Sequence, residues 1–140
     1  MNHATDQQQT GYRAQFAVGE HSARHLRRIL RAYLASWDLL EVADAAELAL
    51  TELVANVVRH VPGRRCRTLI QLQPGGVRVE VADGCPRLPA APAREDELAE
   101  AGRGLLLVDA VTDRWGVEPA PGGHGKTVWF ECAAKAGDGP

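Results

Sequence analysis

The stretch from Glu47 to His60 combines a helical core pattern with two polar side chains placed at the border of that pattern. At about 100° per residue, one broad apolar stripe is formed by Val42, Ala46, Ala49, Leu50, Leu53 and Val57. Glu52 and Asn56 stand at positions i and i+4, so they lie on one face at the edge of the stripe. A carboxylate there costs desolvation free energy unless a cation, a metal or a ligand pairs with it. The pattern indicates either a site on a buried helix or an ordinary amphipathic helix whose glutamate reaches water.

Apolar periodicity along the chain predicts three helices and five strands. The predicted helices span residues 22–37, 42–60 and 104–112, and Ser22 is the predicted N-cap of the first. The predicted strands span residues 12–18, 68–73, 77–83, 115–117 and 126–132. A Pro-Gly-Gly segment separates the second and third strands, which indicates a β-hairpin. A short helical pattern also falls at residues 95–101, inside a connection rich in proline, alanine and acidic residues.

Asp83 ends the third predicted strand on the face that carries its valines. Strand side chains alternate with a period of two, so Asp83 shares the side of Val79 and Val81, which the helices should cover. This parity directs a carboxylate at the strand end toward the helix layer. A simple turn at Asp83-Gly84 is the alternative explanation for the same residues.

The last predicted helix has a glycine-rich entry, Gly102-Arg103-Gly104. Such an entry presents backbone N–H groups and a favourable helix dipole to an anion. A single G-x-G is weak evidence by itself, because many helices start after glycine.

A second glycine-rich segment, at residues 122–127, resembles a P-loop but departs from it twice. The P-loop needs a glycine where Ala120 stands, and it needs a helix after its Lys-Thr pair. Here Val128-Trp129-Phe130 follows, which predicts a strand. We therefore reject a P-loop.

Length and composition favour one cytoplasmic domain. The chain has 140 residues, 45% of them hydrophobic, and a formal net charge of -2, so nothing points to a nucleic-acid partner. Its three cysteines form no C-x-x-C pair, and their odd number fits a reducing compartment. The polar N-terminus lacks the apolar core of a signal peptide, and no apolar run is long enough for a membrane span. We expect flexible tails at residues 1–11 and 133–140 around a domain at residues 12–132.

The order and spacing of these segments carry a resemblance that none of them carries alone. The segments are Glu52 and Asn56 on a helix, Asp83 at a strand end, Gly102-x-Gly104 before a helix and Gly125-Lys126-Thr127 before a strand. In this order the chain resembles the GHKL, or Bergerat-fold, ATPases over nearly its whole length. Within that family it looks most like the small anti-sigma factor serine/threonine kinases, above all in the segments TELVANVVRH and GRGLLLVDAVTDRWGV. With the predicted elements, this implies a two-layer α/β (α+β) sandwich in which about three helices cover one face of a mixed, mostly antiparallel sheet.

The resemblance also implies ATP and Mg²⁺ as cofactors and gives each motif a role. Asn56 would ligate Mg²⁺ through its side-chain oxygen, a hard ligand suited to that ion, and Glu52 would be the catalytic general base. Asp83 would accept a hydrogen bond from the exocyclic amine of adenine, and Thr127 would line the adenine end. Glycines at the start of the last helix would let the backbone approach the phosphates. The implied cofactor-binding residues are Asn56, Asp83, Gly84, Gly102, Arg103, Gly104, Leu105 and Thr127.

By the same resemblance, the protein would phosphorylate a small anti-sigma factor antagonist and regulate transcription by sequestering a sigma factor. The alternative is a nucleotide-dependent regulatory binding module without kinase activity. One departure bears on this choice: the family's box usually reads D-x-G-x-G, whereas residues 83–87 here read DGCPR and lack both later glycines. A sensor histidine kinase is disfavoured, because 140 residues leave no room for a dimerising phosphoacceptor hairpin.

Trp129 alternates with Val128 and Phe130 and is therefore expected on the sheet face away from the helices. Large exposed aromatic side chains tend to mark contact sites. We expect a homodimer or sigma-factor contact there, and packing of Trp129 under a loop is the alternative.

Overall fold

The computed structural model describes residues 11–19, 21–85 and 103–135. Its helices are α1 (Ser22–Ser36), α2 (Ala43–His60) and α3 (Arg103–Val111). Its strands are β1 (Gly11–Ala17), β2 (Arg65–Gln73), β3 (Gly76–Asp83), β4 (Arg114–Pro119) and β5 (Lys126–Ala133). Short 3₁₀ turns lie at Leu40–Val42, Pro62–Arg64 and Pro121–Gly123.

The strands form one five-stranded sheet in the order β1-β2-β3-β5-β4. All four pairings between the described strands are antiparallel, so the predicted mixed sheet is antiparallel throughout this part of the chain. β5 runs back along β3 and then pairs with β4, which places it inside the sheet rather than at an edge. As a result Asp83, the last residue of β3, lies directly opposite Lys126, the first residue of β5.

The helices cover one face of this sheet, and the core fills the space between the two layers. On the sheet side, the valines of β3 and Phe130 of β5 are almost completely buried. The helix layer contributes Leu26, Leu30 and Leu34 from α1 and Ala46, Ala49, Leu50, Leu53, Val54 and Val57 from α2. The α2 residues other than Val54 belong to the predicted apolar stripe of that helix, and the two-layer prediction is confirmed.

Pro74 and Gly75 form the tight turn between β2 and β3. Gly75 has a φ of 72°, a conformation that costs glycine little, while proline presets the backbone for the preceding turn position. The register that follows places buried Ile70 opposite buried Val79. A slip of one residue would turn every such pair to the other face.

All predicted boundaries but one fall within two residues of those observed. β2 begins at Arg65 instead of residue 68, because residues 65–67 continue to pair with β1. Ser22 is the first residue of α1 and not its N-cap, since its hydroxyl accepts a hydrogen bond from the backbone N–H of Gly19 over 2.8 Å. That bond directs the hydroxyl to the preceding loop. The short helix predicted at residues 95–101 lies outside the described residues.

The predicted domain limits fall close to the ends of the sheet. Gly11 and Ala133 belong to β1 and β5, and residues 1–10 and 136–140 lie outside the described part. No helix within the described ranges is both long enough and apolar enough to cross a membrane.

Candidate functional site

Glu52 and Asn56 lie on the C-terminal half of α2, one turn apart, and both are half-buried. Their neighbours Leu53 and Val57 are buried in the core. The Nδ2 atom of Asn56 is itself buried and has no hydrogen-bond partner among the described residues. In the same part of the chain, the Glu52 carboxylate forms no ion pair. An amide and a carboxylate without protein partners at a core edge are groups that a ligand can use.

Asp83 forms a buried ion pair with Lys126 where β3 ends, on the face of the sheet that the helices cover. The two side chains are only 2% and 7% exposed. The Asp83 Oδ1 atom accepts hydrogen bonds from Nζ of Lys126 over 3.0 Å and from the backbone N–H of Cys85 over 2.8 Å. Its Oδ2 atom has no partner among the described residues. The Asp-Gly turn predicted as the alternative is thus present, held by Oδ1.

A contact between Cys85 and His60 brings the end of β3 to the end of α2. The Cys85 sulfur lies 3.9 Å from the backbone carbonyl oxygen of His60, the last residue of the helix. Asn56 precedes His60 by about one turn. Asp83, Glu52 and Asn56 thus lie on neighbouring elements, although they are well separated in sequence.

Gly125 lets β5 begin directly against the end of β3. Its φ is 149°, and a Cβ atom at this position would overlap the carbonyl oxygen of Asp83. Only glycine fits so close an approach, and the approach sets Lys126 opposite Asp83. Gly84 differs, since a Cβ there would meet nothing within 4 Å. Packing alone does not require glycine at position 84.

α3 begins at Arg103, and Arg103-Gly104 form its first turn. Gly102 lies outside the described residues. Leu105 packs against the core, and Val108 is fully buried. Because α3 packs against α2, the predicted phosphate-facing helix start belongs to the same layer as the Glu52–Asn56 pair.

Thr127 lies on the opposite face of the sheet from Asp83. Along β5, Lys126 and Val128 are buried toward the helices, while Thr127 is half-buried on the other face. There it pairs with Ala82. Strand alternation gives the place beside the carboxylate to Lys126, while Thr127 lines the same cavity as Asp83.

Lys126 is the residue of this site that sequence reasoning missed. The alternation that predicted Val128 on the core side also applies to Lys126, two positions earlier. In the sequence, Lys126 belongs to the P-loop-like segment and to Gly125-Lys126-Thr127, without a role of its own. The rejection of the P-loop is confirmed because strand β5, not a helix, contains Lys126. The sequence does contain a signal for it, because Lys126 has the same strand parity as the core residue Val128.

Cys66 of β2 lies beside Asp83 on the buried face of the sheet. Burial raises the pKa of the Cys66 thiol, and the Asp83 carboxylate adds to the rise. Cys66 therefore stays a neutral thiol near neutral pH, and Lys126 supplies the countercharge of Asp83.

Comparisons with known proteins identify the family of this chain and relate its fold to a solved structure. Residues 16–132 match the family described as the histidine kinase-like ATPase domain. Over 72 residues, or 49% of the chain, the sequence is 39% identical to uncharacterized protein SCO4941 of Streptomyces coelicolor and covers 69% of that protein. A chain in the crystal structure of the SiaB–SiaC complex from Pseudomonas aeruginosa shares the fold, with a TM-score of 0.62 and 12% identity over 94% of both chains. Since the family match extends over most of the sequence, the chain belongs to the histidine kinase-like ATPase domain family.

Proposed function

We propose that this protein is an ATP-dependent serine/threonine protein kinase that phosphorylates a small anti-sigma factor antagonist. In the proposed cycle it also sequesters a sigma factor in the cytoplasm and so regulates transcription. Membership of an ATPase-domain family implies ATP binding. The observation that carries the proposal is the buried Asp83 carboxylate, which is anchored through Oδ1 and has an Oδ2 atom without a described partner.

In this proposal Asp83 reads the adenine base. An exocyclic amine donates a hydrogen bond, and a carboxylate oxygen accepts it. Guanine carries a carbonyl oxygen at the same ring position, which would face the carboxylate with like charge. ATP is therefore favoured over GTP.

The residues on α2 fit a magnesium ion. The Asn56 side chain offers one amide oxygen, and its buried nitrogen has no described partner, so the amide is not committed to the protein. No cluster of three or more His, Cys, Asp or Glu side chains suited to a metal occurs in the described ranges. Mg²⁺ usually takes only one or two protein ligands and completes its shell with phosphate oxygens and water. Asn56 is the residue that would hold it.

Glu52 is proposed as the general base. It lies one turn from Asn56 and has no ion-pair partner in the described part of the chain. Its carboxylate is therefore free to take the proton of a substrate hydroxyl while Asn56 holds the metal. The backbone at Gly102, Arg103 and Gly104, with Leu105 behind it, is proposed to approach the phosphates at the start of α3.

The proposed partners are the antagonist, the sigma factor and a second copy of this chain. A protein with the same fold was crystallised in a complex, that of SiaB with SiaC. This supports assembly with another protein as the way such a domain acts.

The second candidate function is a nucleotide-dependent module that holds a partner without phosphorylating it. The segment at residues 83–87 favours it, because glycine is absent from positions 85 and 87. Asp83 is also partly occupied by Lys126, which leaves a single carboxylate oxygen for the base.

One experiment separates the two functions. The purified protein is incubated with Mg²⁺, γ-labelled ATP and small antagonist-like proteins from the same genome, with the Glu52→Ala variant as the control. Label on an antagonist that depends on Glu52 supports the kinase. ATP-sensitive binding without label selects the holding module, and the absence of any ATP binding would contradict both.

A further inference from the structure

Lys126 is a buried ammonium group with hydrogen-bond donors to spare. The residue is 6% exposed, and its Nζ atom donates to Asp83 Oδ1 over 3.0 Å. An ammonium group has three N–H donors, and within the described residues Asp83 is the acceptor that Lys126 uses. Buried donors without acceptors are costly, so the remaining ones call for a ligand or ordered water.

The ion pair as a unit presents a donor beside an acceptor. Oδ1 of Asp83 is held by Cys85 and Lys126, while Oδ2 has no partner in the described part of the chain. The free edge of the pair therefore consists of an N–H group of Lys126 and a carboxylate oxygen of Asp83. The two residues also line a cavity of about 250 Å³ at this end of the sheet, together with Cys66, Thr127 and His124.

The geometry of this edge is held by the backbone. Asp83 and Lys126 are direct cross-strand partners on β3 and β5, and each of these strands has a neighbour on both sides. Gly125 locks the close approach of the two strands. A donor and an acceptor mounted on such a rigid support are preorganised for a flat ligand that carries the complementary pair.

We propose that Lys126 is a base-reading residue, which donates a hydrogen bond to N1 of adenine while Asp83 Oδ2 accepts one from the exocyclic amine. This rests on the proposed ATP binding. Adenine places the acceptor N1 next to its donor amine and so complements the pair. Guanine places a donor N–H next to a carbonyl oxygen, the reverse order, and would meet a donor with a donor and an acceptor with an acceptor. In the orientation in which adenine pairs, guanine is therefore disfavoured at two adjacent contacts instead of one.

The test measures affinities of the wild-type protein for ATP and for 1-deaza-ATP, in which a C–H group replaces N1 and the amine is kept. Loss of a charge-assisted hydrogen bond in a buried site should weaken binding by roughly 10- to 100-fold. In Lys126→Met the N1 atom has lost its donor, so ATP and 1-deaza-ATP should bind with the same affinity. Lys135→Met removes the same charge at an exposed position after β5 and should keep the wild-type ratio.

The Lys126→Met variant also leaves Asp83 buried without its countercharge, which destabilises the fold. The folded fraction is therefore checked by thermal unfolding, and the double variant Asp83→Asn with Lys126→Met serves as a neutral pair. In the double variant too, the two nucleotides should bind equally. The wild-type comparison needs no variant and stands even when Lys126→Met does not fold.

The outcomes are distinct. Equal binding of ATP and 1-deaza-ATP by the wild-type protein overturns the role of Lys126 but leaves ATP binding intact. An N1 dependence that persists in Lys126→Met shows that another group reads N1 and also overturns it. No binding of ATP at all removes the proposed function together with this inference.

Discussion

Glu52 and Asn56 are neighbours on α2 with different proposed tasks, so their variants should separate. Asn56→Ala removes a magnesium ligand and should lower both magnesium-dependent ATP affinity and turnover. Glu52→Ala removes a proton acceptor and should keep ATP affinity, while phosphate transfer falls by roughly 10²–10⁴-fold. Calorimetry and a labelled-ATP transfer assay measure the two effects. Glu118→Ala, an exposed carboxylate on β4, is the control; transfer by Glu52→Ala at the wild-type rate would remove Glu52 as the base.

Asp83→Asn should weaken ATP binding strongly. The change puts an amide where a carboxylate accepts hydrogen bonds, which costs on the order of 1–3 kcal/mol for a buried acceptor. It also leaves Lys126 buried without a countercharge, so the melting temperature should fall as well. Calorimetry with ATP and GTP measures the first effect. Asp38→Asn is a matched exposed control, since Asp38 has a φ of 60° that asparagine tolerates. Equal affinity of the wild type for ATP and GTP would contradict the role of Asp83.

The three cysteines should differ in reactivity. Burial raises the pKa of Cys132 to about 12, and the Asp113 carboxylate adds to the rise. Since the thiolate is the reactive species, brief alkylation at pH 8.5 should modify half-buried Cys85 well before Cys132 or Cys66. Peptide mass spectrometry reads the order, and alkylation in denaturant should make the three alike. Early modification of Cys132 in the folded protein would contradict its burial.

The same shift affects stability at high pH. In the unfolded chain the Cys132 thiol ionises around its ordinary pKa of 9.0, whereas in the folded protein it does so near 12. The contribution of this group is fully present below pH 9, and it is lost as the pH rises from there toward 12.

At the scale of elements, the start of β5 depends on Gly125. In Gly125→Ala the new Cβ atom would overlap the Asp83 carbonyl oxygen, and the φ of 149° is one that alanine rarely adopts. β5 must then move from β3, so stability should fall by roughly 1–3 kcal/mol and ATP affinity should fall with it. Denaturant unfolding measures the first. Gly84→Ala adds the same methyl group in open space and should unfold like the wild type; equal stability of the two variants would refute the close-approach argument.

Much of the fold could be predicted because its signals are local. Helical spacing in α1 and α2 and alternation in β3 indicate which side of each element is apolar. These sides must be buried against each other, which predicts a helix layer packed on a sheet. The start of β2 at Arg65 could not be predicted, because residues 65–67 are strand only through their pairing with β1. The wholly antiparallel order of the described sheet depends likewise on β5 pairing with β3, a choice that no local pattern contains.

The residues of the candidate site could likewise be predicted only where a local pattern indicates them. Glu52, Asn56 and Asp83 stood out because each is polar at a position in phase with, or bordering, an apolar face. Lys126 did not, since a lysine at a strand start is usually solvated, and its countercharge lies 43 residues away. Only the β3–β5 register brings the Asp83 carboxylate to Lys126, where it offsets the cost of burying the ammonium group. The same alternation puts the Thr127 side chain on the other face of the sheet from Asp83, a detail that the resemblance alone does not give.

At the scale of the whole molecule, the described helices all lie on one face of the sheet, and Trp129 lies on the other face, as expected. The ring packs against Gly116 of β4, and the guanidinium carbon of Arg78 lies 4.2 Å from the ring centre. Trp129 is therefore partly covered by strand residues, and its buried Nε1 atom has no partner among the described residues. Any contact with a second copy or a sigma factor would involve Arg78 as well as the ring.

Trp129→Ala should weaken such a contact and lower stability by roughly 1–3 kcal/mol, because it removes a packed aromatic ring. Light scattering over a range of concentrations measures the mass in solution, and partner binding is measured alongside. Leu40→Ala, at a residue that is 51% exposed and outside the sheet, is the control. If mass and partner binding are both unchanged in Trp129→Ala, the open face at Trp129 is not a contact surface.

The strand order also sets when the Asp83–Lys126 pair can exist during synthesis of the chain. β1, β2 and β3 pair with their neighbours in sequence or across α1 and α2, but β5 must close a long loop onto β3. Until it does, a nascent chain exposes the unpaired backbone edge of β3, a template for aggregation. A ligand that binds only the completed pair stabilises chains in which the last strand has docked. Nucleotide in the cell would then lower the fraction of chains that expose the edge of β3, and with it the tendency to aggregate.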